Sequence, residues 1–558
     1  MKQYTTKRSI QILANLLQQY GIHNIVISPG SRNAPMAIHF TEFDEFNAYS
    51  IVDERSAGFV AMGMAQSLKQ PVAVSCTSGS AATNYYPAVV EAFYQNTPLL
   101  LLTADRPSDY TDIFDGQTIR QHKLYEQHAY GSFQLLEDSQ PDADEYNFNT
   151  VKVAIETCFE KQGPVHINIP LEEPLYQLIS ELPVFTKVDK YKPSSSQYEL
   201  DATMVAEWNT SKKIMVLMGT LAPNKELETY LDQLAKNHSV VVLTEVNSNL
   251  HNDKFFNHID RYIFNFGGEE LSHYAPDLLI TIGQNVVSKK VKQFLRATPI
   301  KNHWHIDEHW HPDTYFSLNR KIKAKPEVVL SALMDKINLE PSPYYNLWDS
   351  LRTKLDARHQ EFSLQAPYSD FKVFELLSQS VPEHYNIQLS NSSTIRYAQL
   401  FDFKQDNPIY CNRGTSGIDG STSTAMGFAM ADQNPTLLVT GDISFFYDIN
   451  GLWNPYIPPY TRIVLINNGE GNIFRIIPGP DTTNALEEFI ATTHRKDAEL
   501  LAKHFGFSYF KVDDLVTLER SLPHFFSPED RPKILEISTK TAPNADVLKD
   551  YFKFLKLK

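Results

Sequence analysis

The sequence predicts an α/β protein of three domains, each a parallel sheet flanked by helices, and three observations carry that prediction. Strand-like apolar runs alternate with helical patterns along most of the chain. At 558 residues the chain is too long for one core and fits two or three of ordinary size. A shift of 364 positions also lays the first segment over the third without a gap: Ala61–Ala65 (AMGMA) falls on Ala425–Ala429 (AMGFA), Pro71 on Pro435 and Thr97 on Thr461. The apolar run from Val72 then covers the run from Thr436, so one sheet topology is expected twice.

In chain order, the first domain is assigned to residues 1–184. It opens with an amphipathic helix pattern stopped by Gly21 and continues with the strand-like runs NIVIS, PVAVSC, PLLLLTA and VHINI. A charged connector containing Ser and Pro, Phe185 to Leu200, reads as a linker. The central domain, 200–340, carries KIMVLMG, VVVLTEVN, DLLITIGQ and NHWHID. A second connector, around residues 340–368, leads to the third domain, 369–558.

The net charge of −15 argues against a nucleic-acid or anionic-membrane partner, because such proteins carry basic surfaces. No run approaches the ~18 apolar residues of a membrane span, and the amino terminus lacks the apolar core of a signal peptide. Cys76, Cys158 and Cys411 form no CxxC pair, which fits a reducing compartment; the expected location is cytoplasmic. An acidic protein that binds anionic ligands must do so with a few localised Arg and Lys side chains.

The most informative stretch runs from Thr440 to Phe474. An apolar run ends there on Gly441 and Asp442, a polar, Pro-broken crossover follows, and a second apolar run ends on Asn467 and Asn468. Such a connection places Asp442 and Asn468 at the carboxyl ends of neighbouring parallel strands, the edge where α/β sheets bind ligands. A hard carboxylate, an amide oxygen and a backbone carbonyl in the following turn suit Mg²⁺, with water and phosphate oxygens completing its shell. Taken singly, Gly-Asp and Asn-Asn are ordinary turn dipeptides. Here they close two successive strands 26 positions apart.

That spacing and residue order resemble the motif of the thiamine-diphosphate-dependent enzymes. The resemblance implies the thiamine-diphosphate-binding fold, with Mg²⁺ or Mn²⁺ held by the side chains of Asp442 and Asn468 and by the carbonyl of Glu470. Glu470 itself stands where relatives carry a small residue. It further implies cofactor contacts at Gly441, Ser444, Ile473 and Phe474, and at Ser416 and Ile418 in NRGTSGIDG. Ile418 would be the bulky residue that keeps the two cofactor rings folded together. Glu54, in IVDERSAGF, sits where the family places its catalytic acid, hydrogen-bonded to the aminopyrimidine ring. Without that partner motif, DER would read as a solvated turn. Thr77, Ser78 and Gly79 form a small-residue loop open to the pyrimidine, though TSG is also a plain strand-to-helix cap.

Further phrases narrow the resemblance. SPGSRNAP supplies Ser31 and Arg32, TADRP Arg106, GQTIRQ Gln117 and Arg120, NSSTIR Ser392 and Arg396, NRGTSGIDG Arg413, and VVSKKVKQF Lys289. Gly116 stands where relatives often carry Asn. Together these are similar to the branch of the family, in menaquinone biosynthesis, that joins the succinyl unit of 2-oxoglutarate to isochorismate. Both substrates are dicarboxylates, and guanidinium groups bind carboxylates in two-pronged fashion. The division expected gives Arg396 and Arg413 the succinyl carboxylate, and Arg32, Arg106 and Gln117 the isochorismate. The resemblance also implies a homodimer or homotetramer, each site being shared between the Glu-bearing domain of one subunit and the metal-bearing domain of another.

Two other enzymatic readings, a different thiamine-dependent 2-oxoacid decarboxylase and an acetolactate-type synthase, would need an apolar acyl pocket rather than arginines. A non-catalytic thiamine-diphosphate-binding protein would not need Glu54. His303, His305, His309 and His311 lack metal spacing and an accompanying thiolate, and read as a strand end and its loop. No GxGxxG follows the first central strand and no Walker A sequence occurs.

Overall fold

The computed structural model describes residues 2–189, 191, 198–336, 338, 342–477 and 479–557, and three parallel sheets follow one another along it. The first is built from β1 (Asn24–Ile27), β2 (Asn47–Ser50), β3 (Val72–Cys76), β4 (Leu99–Asp105), β5 (Ser132–Gln134) and β6 (Val165–Pro170), in the order β2-β1-β3-β4-β6-β5. The central sheet holds β7 (Ile214–Met218), β8 (Val240–Leu243), β9 (Leu278–Ile282), β10 (Asn302–Asp307) and β11 (Arg320–Lys323), ordered β8-β7-β9-β10-β11. The third consists of β12 (Asn386–Leu389), β13 (Ile409–Cys411), β14 (Thr436–Gly441), β15 (Arg462–Asn467), β16 (Ser508–Val512) and β17 (Lys533–Ser538), ordered β13-β12-β14-β15-β17-β16. The first and third orders are the same permutation, as the internal repeat requires.

Strands β3, β4 and β15 are buried along their whole length. Helices cover both faces of a parallel sheet, so its inner strands read as continuous apolar runs. Strands β2, β5 and β11 escaped the sequence reading because they are short edge strands without an apolar run; β2 and β5 have no buried residue at all.

The repeated AMGxA words have a packing reason. They lie on helices Glu54–Leu68 and Ser421–Ala431, which cross in direct backbone contact. A Cβ on Gly63 would sit 2.0 Å from the Thr424 carbonyl oxygen, and one on Gly427 2.0 Å from that of Val60. Any side chain at either glycine would drive the two domains apart.

The stretch 340–368, read as a connector, contains a 22-residue helix, Tyr344–Gln365. Its buried residues Tyr344, Trp348, Leu351 and Leu355 repeat at helical spacing and complete one core shared by the central and third sheets. Charged residues between them masked the stripe. Of the first connector, residues 190 and 192–197 lie outside the described ones. Phe185, Val188 and Tyr191 pack on the first core, and Tyr198 and Leu200 on the central one. The amino-terminal helix runs Arg8–Tyr20 and ends on Gly21 at φ 79°. Among the described residues no helix is long and apolar enough to cross a membrane.

Candidate active site

Strands β14 and β15 pair in parallel with Gly441 opposite Ile466, so Asp442 and Asn468 leave the sheet side by side. They border a cavity of about 230 Å³ together with Gly441, Ser444, Glu470, Phe474, Ile418 and Ser392. Asp442 is 2 % exposed; its carboxylate accepts the Ile443 and Gly469 N–H groups at 2.7 and 2.6 Å. These bonds aim a buried charge that costs too much to leave without partners. Ser444 donates its hydroxyl to the Ile418 carbonyl at 2.9 Å, fixing Ile418 on the cavity wall. Ser416 holds the left-handed φ of 64° that turns the loop inward. Ile473 is buried at the start of its short helix, beside Phe474.

Asn468 is oriented by a residue that the sequence reading missed. Its amide nitrogen donates to Asp370 at 3.0 Å, while its oxygen receives only the Glu470 N–H at 3.3 Å. Asp370 also accepts the Thr539 hydroxyl at 2.6 Å. Burial, with the charge of Asp442 adding to it, pushes the Asp370 carboxyl up to about 6 against these hydrogen bonds. By taking the nitrogen, Asp370 leaves the Asn468 oxygen as the atom available to a cation. The donor set of carboxylate, amide oxygen and backbone carbonyl is therefore oxygen-only and fits Mg²⁺ or Mn²⁺ beside a diphosphate. The Glu470 side chain is gripped by Arg475 Nε and Nη2 at 2.6 Å each.

Next to this cavity stands a pair of arginines. Arg413, 8 % exposed, donates to Asn391 Oδ1 at 2.8 Å, and its buried Nε has no partner. Arg396 donates to the Ser392 carbonyl at 2.6 Å. Burial, reinforced by the neighbouring Arg413 charge, pulls the Arg396 guanidinium below its usual range. Among the described residues neither forms an ion pair, so the pair could receive an anion.

The central domain faces them with the helix Lys289–Ala297. Glu245, whose carboxyl burial pushes up to about 7, accepts the Val287 and Ser288 N–H groups at 2.7 Å each and fixes the start of this helix. Lys289 itself is exposed. The half-buried Lys292, held below its usual range by burial and partly restored by the Glu245 charge, is the lysine that feels Arg413. Only the fold separates these two, because VVSKKVKQF presents both.

The first-domain residues gather on the equivalent edge of their own sheet. The Arg32 N–H donates to Thr77 Oγ1 at 3.1 Å, with Ser31 just before the helix Ala34–Glu42. Gly79, at φ 85°, lies against the backbone of Gln117, so Ser78 and its neighbours form one floor. Arg32 is tied to the Leu171 carbonyl and to Glu173, and Arg106 to Asp115 at 3.0 Å. Arg120 pairs with Asp112 in solvent.

The DER triplet divides its work. Asp53 caps the helix through the Arg55 and Ser56 N–H groups and accepts from Asn450 at 2.8 Å. Arg55 reaches Asp448 at 3.0 Å and the Asp419 carbonyl. Both flanking residues thus lock the first domain to the third. Glu54 alone has no hydrogen-bond partner among the described residues. Neither Glu54 nor any other described first-domain residue lines the Asp442 cavity of its own chain.

A second bridge also escaped sequence reasoning. Glu91, 2 % exposed, accepts the Gly414 N–H at 2.6 Å and the Thr415 N–H and hydroxyl at 2.7 and 2.6 Å, holding the loop that carries Arg413, Ser416 and Ile418. Of the four histidines, His303 and His305 lie in β10 and both bond Thr281 Oγ1, at 3.0 and 2.8 Å.

Comparison with known proteins gives the family and the fold. Residues 8–132 match the family described as "Thiamine pyrophosphate enzyme, N-terminal TPP binding domain", and residues 185–387 match "Middle domain of thiamine pyrophosphate". A putative thiamin diphosphate-dependent enzyme from Mycobacterium smegmatis shares the fold at TM-score 0.69 and 18 % identity, over 95 % of this chain and 99 % of that one. Benzoylformate decarboxylase from Polynucleobacter necessarius does so at TM-score 0.69 and 17 % identity, over 96 % and 99 %. The fold and these matches define a thiamine-diphosphate-dependent enzyme. The synthases named 2-succinyl-5-enolpyruvyl-6-hydroxy-3-cyclohexene-1-carboxylate synthase from Flavobacterium johnsoniae and Flavobacterium psychrophilum are 43 % and 44 % identical, each over 98 % of both chains. That of Porphyromonas gingivalis is 36 % identical over 99 % of this chain and 98 % of its own. The chain belongs to the 2-succinyl-5-enolpyruvyl-6-hydroxy-3-cyclohexene-1-carboxylate synthase family.

Proposed function

We propose that this chain decarboxylates 2-oxoglutarate and transfers the succinyl unit to isochorismate, as a step of menaquinone biosynthesis. The observation that carries the reading is the unpaired Arg396 and Arg413 set beside the cavity of Asp442 and Asn468: a carboxylate receptor next to a site for a metal diphosphate. A simple decarboxylase or an acetolactate-type synthase would have no use for two buried arginines beside its cofactor cavity.

Thiamine diphosphate, when bound, supplies the nucleophilic carbon and the electron sink for decarboxylation and acyl transfer. Asp442, Asn468 and the Glu470 carbonyl hold Mg²⁺ or Mn²⁺ and through it the diphosphate. Ile418 supports the rings. Arg396, Arg413 and Ser392 orient the 2-oxoglutarate carboxylates, while Ser31, Arg32, Arg106 and Gln117 receive isochorismate. Lys289 lies at the outer, central-domain side of this set.

Glu54 holds and returns a proton at the aminopyrimidine ring, and the loop of Thr77, Ser78 and Gly79 admits that ring. Since Glu54 does not reach the Asp442 cavity of its own chain, a second copy supplies it, and the active species is a homodimer or a larger even assembly. The absence of a side-chain partner for Glu54 supports this, because an acid that must meet a ligand cannot be used up in its own fold.

The test is to incubate the pure protein with thiamine diphosphate, Mg²⁺, 2-oxoglutarate and isochorismate, following isochorismate loss and carbon dioxide release. Loss of both substrates together is expected. Carbon dioxide release with isochorismate unconsumed would move the assignment to a decarboxylase. A fully active monomer in sedimentation would refute the shared site.

A further inference from the structure

Glu470, in the turn after Asn468, has an engaged side chain. Arg475 donates to it from Nε and Nη2 at 2.6 Å, and the same guanidinium donates from Nη1 and Nη2 to Glu487 at 3.0 and 2.7 Å. One cation is thus gripped in two-pronged fashion by two carboxylates, whose hydrogen bonds hold it well above its ordinary range. Glu470 is only 15 % exposed, Arg475 31 % and Glu487 62 %.

Glu487 belongs to the one-turn π-helix Leu486–Ile490, which has no buried residue. The chain then continues through Ile490, Ala491 and Thr492, which wall the Asp442 cavity. Two backbone bonds tie this wall to the metal loop: Gly471 N–H to the Ala491 carbonyl at 2.6 Å, and His494 N–H to the Gly469 carbonyl at 2.7 Å. Exposed ion pairs alone contribute little. This one is fastened at its Glu470 end to a mostly buried carboxylate on a residue that lines the Asp442 cavity.

Resting on the reading of the Asp442 cavity as the metal-diphosphate site, we infer that Arg475 and Glu487 are positioning residues for it. Through Glu470, Arg475 fixes the carbonyl ligand, and Arg475 and Glu487 together latch residues 486–494 as the outer wall of the cavity.

The test uses full-length R475Q, R475K and E487Q. It measures Mg²⁺ affinity by calorimetry at saturating thiamine diphosphate, and amide hydrogen exchange of residues 486–494 in the cofactor-free protein. R475Q should weaken Mg²⁺ about 10-fold or more, the usual effect of losing a group that orients a metal ligand, and should speed exchange across the wall. R475K keeps the charge but not the fork, so it should resemble R475Q. E487Q leaves the Glu470 grip intact; it should speed exchange while Mg²⁺ affinity stays near the parent's.

Parental exchange in E487Q would overturn the latch, even if R475Q failed to fold. Parental Mg²⁺ affinity in a folded R475Q would overturn the positioning role. Should the parent itself bind neither thiamine diphosphate nor Mg²⁺, the reading of the cavity falls, and the inference with it.

Discussion

Replacing Glu91 by glutamine changes one atom and should loosen the loop that carries Arg413 and Ile418. In the parent, Oε1 accepts the Gly414 N–H at 2.6 Å while Oε2 accepts both the N–H and the hydroxyl of Thr415. A glutamine offers one oxygen and one NH₂ in the same space, so whichever way it turns, a part-buried backbone N–H faces a donor. Leaving that N–H without an acceptor costs about 1–3 kcal/mol, and each surviving bond drops from charged to neutral strength, a loss of about 1 kcal/mol. Burial holds the Glu91 carboxyl above its usual range, so removing the charge returns part of this. The net expectation is a destabilisation of about 2–4 kcal/mol. Urea unfolding would read it, and calorimetry should find thiamine diphosphate affinity reduced, because Ile418 is no longer held against the cavity. Stability and cofactor affinity both equal to the parent's would refute the claim that this inter-domain bridge sets the loop.

Three further outcomes are expected. Glu54→Gln keeps size and hydrogen bonding but removes the proton carrier, so cofactor affinity should change little while C2-proton exchange of bound thiamine diphosphate slows about 10²–10⁴-fold by quenched NMR; parental exchange would reduce Glu54 to a turn residue. Arg396→Ala and Arg413→Ala should each cost a few kcal/mol in kcat/KM for 2-oxoglutarate by leaving a buried carboxylate unpaired, with smaller effects on cofactor binding; steady-state constants showing the loss on isochorismate instead would reverse the assigned division. Burial holds His39 and His303 down to about 4, and His166 and His359 down to about 3. Unfolded histidines take up protons near pH ~6.5, so the unfolded state binds more protons between about 6.5 and 4, and stability present above 6.5 is lost as pH falls through that window. Urea midpoints at pH 5 and 8 should therefore differ less in His166→Gln than in the parent.

Much of the fold was legible because inner parallel strands, buried on both faces, leave continuous apolar words such as LLLLTAD and RIVLIN. The repeat was legible because two glycines needed for backbone contact between helices fall in the same word twice. The edge strands Asn47–Ser50, Ser132–Gln134 and Arg320–Lys323 left no such trace. The helix Tyr344–Gln365 hid its stripe among charges and passed for a connector. In the site, Asp442 and Asn468 were readable as neighbours because each directly follows the end of one of two paired strands, where local chain direction decides which edge a residue reaches.

What the sequence by itself determined is thus the loop chemistry at the carboxyl ends of two related sheets. Tertiary structure decided the rest, because hydrogen bonds between residues far apart in the chain depend on packing and not on spacing. Asp370 lies 98 positions from the Asn468 whose amide it turns, and Glu91 lies 323 from the Gly414 it holds. Lys292 and Lys289 stand on one helix and differ in burial: Lys292 is half-buried and feels Arg413, while Lys289 is exposed. That Glu54 does not line the Asp442 cavity of its own chain is a property of how two domains lock through Asp53, Arg55 and the crossed glycine helices, and no run of letters contains it.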